Sequence, residues 1–312
     1  MRLFPNINNM TAVKKGRGYV LGTLNERHDV FTYLQTDTLC LIAESVGAVF
    51  KAIDDQGWEP RHNKSSDKKG SDGEFNFFDS LAEAMDMFRN KPRQVRKFKP
   101  AEDDLKAKDS IGRDIEFDVT GDYIDVSRFL EGDPECFGVA VNGNPDGMRI
   151  NIIYNANAVC NIKQSALNHK QTRLLEVVDW FESRGVRCRI VSFASTQCAH
   201  VEVQVKAFED AVNMNDLAIV GHSDFLRRVM FLVDEQSDTW ESGYGSPAMF
   251  SKIMADKYVA DASDGLTIYI DDQSENDIEL IDRAFDAAKV KVADVISSPE
   301  KRDFSRVYMV QL

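Results

Sequence analysis

The stretch from Arg149 to Thr196, RINIIYNANAVCNIKQSALNHKQTRLLEVVDWFESRGVRCRIVSFAST, leaves few architectures open. Ile150, Ile152 and Ile153 form a β-branched run that reads as a strand. From Leu174 the apolar residues fall at Leu174, Leu175, Val177, Val178 and Phe181, which is helical spacing. Gly185 follows, where a helix end wants a residue that tolerates positive φ. Val186, Ile190, Val191 and Phe193 then supply a second buried strand. Two strands joined through a long helix make a parallel β-α-β crossover. In open α/β sheets ligands bind beyond the carboxyl ends of the strands, and the first such end here is Asn155-Ala156-Asn157-Ala158.

At 312 residues the chain has room for two domains at roughly 150 residues each. Its charged and apolar fractions are those of a soluble globular protein. No apolar run approaches the ~20 residues of a membrane span, and the opening residues lack the apolar core of a secretory signal. The expected location is therefore the cytoplasm. The cysteines, Cys40, Cys136, Cys160, Cys188 and Cys198, are an odd, scattered set without CxxC pairs, as expected of free thiols. The net charge of −13 divides almost evenly along the chain. A protein this acidic is poorly suited to coating duplex DNA, because each phosphate contact needs a cation.

Residues 1–135 read as an N-terminal α+β part. A helix is expected from Asp37 to about Asp54, with Leu39, Ile42, Val46, Val49, Phe50 and Ile53 as its apolar stripe. Residues 61–74 form a polar linker, and a second short helix follows Asp79. The strongest basic cluster comes next: Arg89, Lys91, Arg93, Arg96, Lys97 and Lys99, flanked by Phe88 and Phe98. Cations interleaved with aromatics can track a single nucleic-acid strand and stack its bases; a solvated loop is the plainer reading. Ile115, Phe117 and Val119 alternate as a strand, and Asp125 is placed to cap a short helix ending near Gly132. The carboxylates between 118 and 135 suit caps and turns better than a metal site.

Residues 136–312 read as a second domain. Cys136 to Val141 is expected as a strand forming a hairpin with the strand at Arg149. Val201, Val203 and Val205 alternate as a strand, and Asp216 or Ser223 is placed to cap helical structure around Phe225 to Val233. Ser237 to Ser246 is a Ser/Gly loop carrying Trp240 and Tyr244. Leu266 to Ile270 is a strand ending in Asp271-Asp272, Asp277 to Lys289 an amphipathic helix, Val290 to Ile296 a parallel strand, and Val307 to Val310 a final short one.

Two pieces of this half resemble a von Willebrand factor A-type domain. RINIIYNANAV with LLEVVDWFESRGVRCRIVSF is similar to that fold's first strand, first helix and second strand, and TIYIDDQSENDIELIDRAFDAAKVKVADVI to a later strand, helix and strand. The resemblance implies an α/β fold: a mixed, mostly parallel sheet flanked by helices. The family's metal site begins with Asp-x-Ser-x-Ser, and the matching positions here are Asn155, Asn157 and Val159; its later acidic position matches Asp271. A hard divalent cation such as magnesium prefers charged oxygen ligands. The resemblance thus implies a degenerate site held by hydrogen bonds, with Asp271 the one retained metal ligand and no cofactor required. The segment DVTGDYIDVSRFLEGDPECF, with HSDFLRRVMF further on, is similar to an uncharacterised protein family of bacteriophages and plasmids. That likeness implies a host-cytoplasmic phage or plasmid protein and brings no chemistry.

Catalytic signatures are sparse. No GxxxxGK[ST], no strand-linked GxGxxG and no GxSxG is present. Cys198 and His200 lie two apart without the further partners that zinc needs. His222-Ser223-Asp224 holds triad residue types, but adjacent residues cannot form a triad among themselves. The expectation is a non-catalytic adaptor that binds a protein partner through a loop edge carrying Asn155, Asn157, Trp240, Tyr244, Asp271 and Asp272. A single-stranded DNA-binding cofactor of phage transcription or replication, using the basic cluster, is the second reading. A metal-dependent hydrolase using Asp271 and the acids between 118 and 135 is the third.

Overall fold

The computed structural model describes residues 10–24, 38–61, 78–92, 114–118, 123–124, 137–141, 148–157, 162–182, 185–195, 198–238, 266–270, 275–297 and 307–310. The protein is α/β, built on a mixed sheet of eight strands. In chain order these are β1 (Met10–Gly16), β2 (Tyr19–Leu24), β3 (Leu39–Ala43), β7 (Arg149–Asn155), β8 (Arg187–Ser195), β9 (Ala199–Lys206), β10 (Leu266–Ile270) and β11 (Val307–Val310). The spatial order is β1-β2-β3-β9-β8-β7-β10-β11. The strands β8, β7, β10 and β11 are mutually parallel, and β9 runs against β8. At the other flank β3 is parallel to β9, while β2 and β1 complete an antiparallel meander. The sheet therefore crosses the boundary expected near residue 135: strands from both sides of it are hydrogen-bonded through the β3–β9 pair.

The expected crossover is present. β7 leads through α3 (Gln164–Glu182) to β8, and Gly185 turns the chain with φ 79°. Period-2 alternation sends Ile150, Ile152, Tyr154, Ile190 and Ile268 into the main apolar core. Leu167, Leu174, Val178 and Phe181 meet them from α3. The same core takes Ile281, Phe285, Ala288, Val292 and Val295 from α6 (Ile278–Ser297).

These last residues correct an expectation. Val290 to Ile296 is not a strand but the second half of α6. Its buried positions recur at intervals of three and four, which keeps one helical face on the core despite the β-branched valines. The strand beside β10 is β11. The helix expected from Asp37 is likewise divided. Leu39–Ala43 pairs as β3, and α1 (Val46–Gln56) starts after Ser45, whose hydroxyl accepts the Ala48 N–H at 3.2 Å. The hairpin expected between 136–141 and the strand at Arg149 is also replaced. β6 (Phe137–Val141) pairs with β4 (Asp114–Asp118) and β5 (Tyr123–Ile124) in a separate three-stranded antiparallel sheet.

The remaining helices are α2 (Leu81–Asn90), capped by Ser80, and α4 (Met214–Val220), capped by Asn213; the helical structure expected around Phe225 to Val233 starts after Asp224, not after Asp216 or Ser223. A π-helical turn, Phe225–Met230, then runs into α5 (Phe231–Glu235). Helices α1, α4, α3 and α6 touch in that order and form a continuous layer. The seam between α3 and α6 is polar: Arg173 bridges Asp282 and Asp286, and His169 Nε2 lies 2.7 Å from Asp282 Oδ1. Among the described residues no helix is long and apolar enough to cross a membrane.

Candidate functional site

The connections from β7 and β10 leave in opposite directions, one to β8 and the other to β11. In open α/β sheets ligands gather beyond such a divergence of strand ends. Here the two ends are fastened together. Asn155 closes β7 with its side chain wholly buried; its Nδ2 donates to Tyr269 Oη of β10 at 3.2 Å, and its Oδ1 accepts the Asn157 N–H at 3.0 Å. One loop further out, the Lys163 N–H donates to Asn276 Oδ1 at 2.8 Å. The edge is thereby a braced surface at its base.

The first turn of α6 stands on this edge. Asp277 accepts the Glu279 N–H at 2.9 Å, and Glu275 accepts the Asp277 N–H at 2.7 Å, so the acids at this junction cap the helix where its dipole favours negative charge. In the same turn Ile278 is 40% and Leu280 42% exposed. Being two apart on the helix, Ile278 and Leu280 point to different sides of its first turn, each beside an acid in the chain, Asp277 and Glu279.

Behind it, the second face of the sheet carries a row of rings. Phe193 of β8 stacks on His200 of β9 at 5.8 Å and on Tyr269 of β10 at 6.5 Å. Burial drives the His200 imidazole down to about 3, so it is neutral in this setting. The thiols of Cys40 and Cys188 are buried and pushed well above the ordinary thiol range by desolvation, which makes them poor nucleophiles. Among the described residues no group of three or more His, Cys, Asp and Glu stands ready to hold a metal.

The sequence-derived sites divide as follows. Asn155 and Asn157 are 0% and 2% exposed, so they frame the edge and do not present their side chains on it. Arg89 lies on α2, paired with Asp54 at 2.8 Å and standing 5.3 Å over the Phe50 ring. Lys91 pairs with Asp86 at 3.3 Å. Arg93, Arg96, Lys97, Lys99, Trp240, Tyr244, Asp271 and Asp272 lie outside the described residues.

Two features escaped sequence reasoning. His222, Asp224 and Arg228 form a buried network with Phe78. Asp224 Oδ1 meets Arg228 Nε at 3.2 Å, its Oδ2 accepts the Phe78 N–H at 2.9 Å, and Arg228 Nη2 donates to the Phe78 carbonyl. The His222 ring stacks on Phe78 at 5.4 Å, and its Nδ1 accepts the Asp224 N–H. Nothing local in the sequence marks the network, because Phe78 lies 150 residues from Arg228 in the chain. The second feature is an open cavity of about 570 Å³ lined by α1, the end of α2 and the start of α4.

No curated protein and no solved structure matches the chain. A family model does, over residues 24–289. That span takes in β3, β7, β8, β9 and β10 of the main sheet, together with the braced β7/β10 edge and the Asp224–Arg228 network. The chain belongs to the family described as Domain of unknown function (DUF7192).

Proposed function

We propose that this protein is a non-catalytic binding module whose β7/β10 edge takes a protein partner. The observation that carries the reading is the fastening of the two strand ends by Asn155 and Tyr269, with exposed Ile278 and Leu280 beside it. A braced edge whose helix start exposes Ile278 and Leu280 next to Asp277 and Glu279 suits a partner segment that carries apolar side chains among lysines or arginines. The von Willebrand A-like reading of 149–296 agrees with a site at these strand ends. The position that would carry that family's first acid is Asn155, whose side chain is engaged in bracing. The single-strand DNA reading is weaker, since Arg89 and Lys91 are each paired with an aspartate.

The test is site-specific photo-crosslinking in the native host, with the probe at Leu280 or at Val290 on the same helix, 68% exposed and away from the edge. The proposal expects one discrete protein adduct at 280 and none at 290. Equal labelling at both positions, or adducts only with nucleic acid, would overturn it.

A further inference from the structure

The cavity between α1, α2 and α4 shares no residue with the β7/β10 edge, and its charges do not balance. Five ionisable side chains line it. Lys51 is taken by Asp55 at 2.9 Å, and Arg89 by Asp54 at 2.8 Å. Asp216 is left over: one of its oxygens accepts the first N–H of α1, from Val46, at 3.3 Å, and among the described residues no cation stands opposite it. Beside it Asn215 Oδ1 is enclosed and accepts no hydrogen bond. The apolar lining comes from Val46, Phe50, Phe88, Pro92 and Ile219, with Phe50 and Phe88 stacked on each other.

We propose that this cavity is a binding site for an alkyl guanidinium group, the chemistry of an arginine side chain. Asp216 would supply the counter-charge and Asn215 Oδ1 a second acceptor, a pair that suits the several N–H donors of a planar guanidinium. The same cleft already holds one guanidinium, that of Arg89, which lies over Phe50 and pairs with Asp54. The volume of about 570 Å³ falls within the range of roughly 300–1,000 Å³ usual for small-ligand pockets. A half-buried carboxylate without a cation is also costly to keep charged: burial raises the Asp216 carboxyl above the usual carboxylate range, and a bound cation would reverse that shift.

The experiment is a titration of the full chain, followed by amide and carboxyl NMR, with two probes: ethylguanidinium and N-acetylarginine amide. Saturable binding that shifts the Gly47, Asn215 and Asp216 signals and lowers the Asp216 titration midpoint is expected. The tighter of the two probes tells whether a free small guanidine or a peptide side chain is the better fit. Asp216→Asn keeps an oxygen for the Val46 N–H but removes the charge, and should weaken binding about tenfold or more. Asp86→Asn, whose carboxylate pairs with Lys91 and does not line the cavity, should leave binding unchanged. Absence of saturation, an Asp216 midpoint indifferent to the probe, or equal binding by Asp216→Asn would each overturn the assignment.

Discussion

Asp224 and Arg228 meet at 3.2 Å with neither side chain exposed, one turn apart on a π-helical segment. Together they hold both backbone groups of Phe78, which places the start of α2 against the His222 ring. The pair joins two stretches that are remote in sequence through charge-assisted bonds in a dry setting. Removing one partner leaves the other charge buried without compensation. Arg228→Ala should therefore lower the unfolding free energy by about 3–5 kcal/mol, read from the midpoint of urea denaturation. Replacing both residues by apolar ones of similar volume should recover much of that loss. A single variant as stable as the wild type would remove the clamp from the account.

His200 supplies a pH signature. Its folded value is pushed down to about 3 by burial, against roughly 6.5 in an unfolded chain. Between those values the unfolded state binds a proton that the folded state refuses. The contribution to stability is thus fully present above about 6.5 and is lost as pH falls toward 3, with a slope of up to about 1.4 kcal/mol per pH unit. The comparison is between the wild type and His200→Phe, a variant that keeps a ring against Phe193. Its melting temperature should fall less steeply between pH 7 and pH 4. Parallel curves would show that the imidazole does not titrate as described.

The brace at the sheet edge separates stability from binding. Asn155→Ala removes both a buried donor and a buried acceptor, and should cost about 1–3 kcal/mol in thermal or chemical unfolding. Ile278→Ser with Leu280→Ser should leave stability within about 0.5 kcal/mol while abolishing the adduct formed at position 280. If the double serine variant unfolds as readily as Asn155→Ala, those side chains belong to the core and not to a partner surface.

How much of this could be read in the sequence depended on the range of the contacts. The β7-α3-β8 crossover was legible because its signals are local: a β-branched run, a 3.6-residue period and Gly185 at the turn. α6 was misjudged past Lys289 because Val290, Val292, Val295 and Ile296 favour strands as residue types, while the spacing from Ile281 to Val295 continued the helical period. The stretch from Asp37 to about Asp54 reads as one helix because its apolar residues, Leu39 to Ile53, fit a stripe; Ser45, a good cap, marks the break between β3 and α1. Asn155 was legible as the end of a strand, but its partner Tyr269 was not, since parallel pairing brings together residues 114 apart. The cavity was illegible for the same reason: Asp216 caps α1 from 170 residues away.

The most direct test of the binding account is hydrogen–deuterium exchange on the full chain with and without the partner captured at position 280. The account predicts added protection concentrated in residues 155–163 and 275–280, the two junctions tied by the Asn155–Tyr269 and Lys163–Asn276 bonds. Protection confined to another surface, such as the basic stretch from Arg89 to Lys99, with the β7/β10 junctions exchanging as in the free protein, would contradict it.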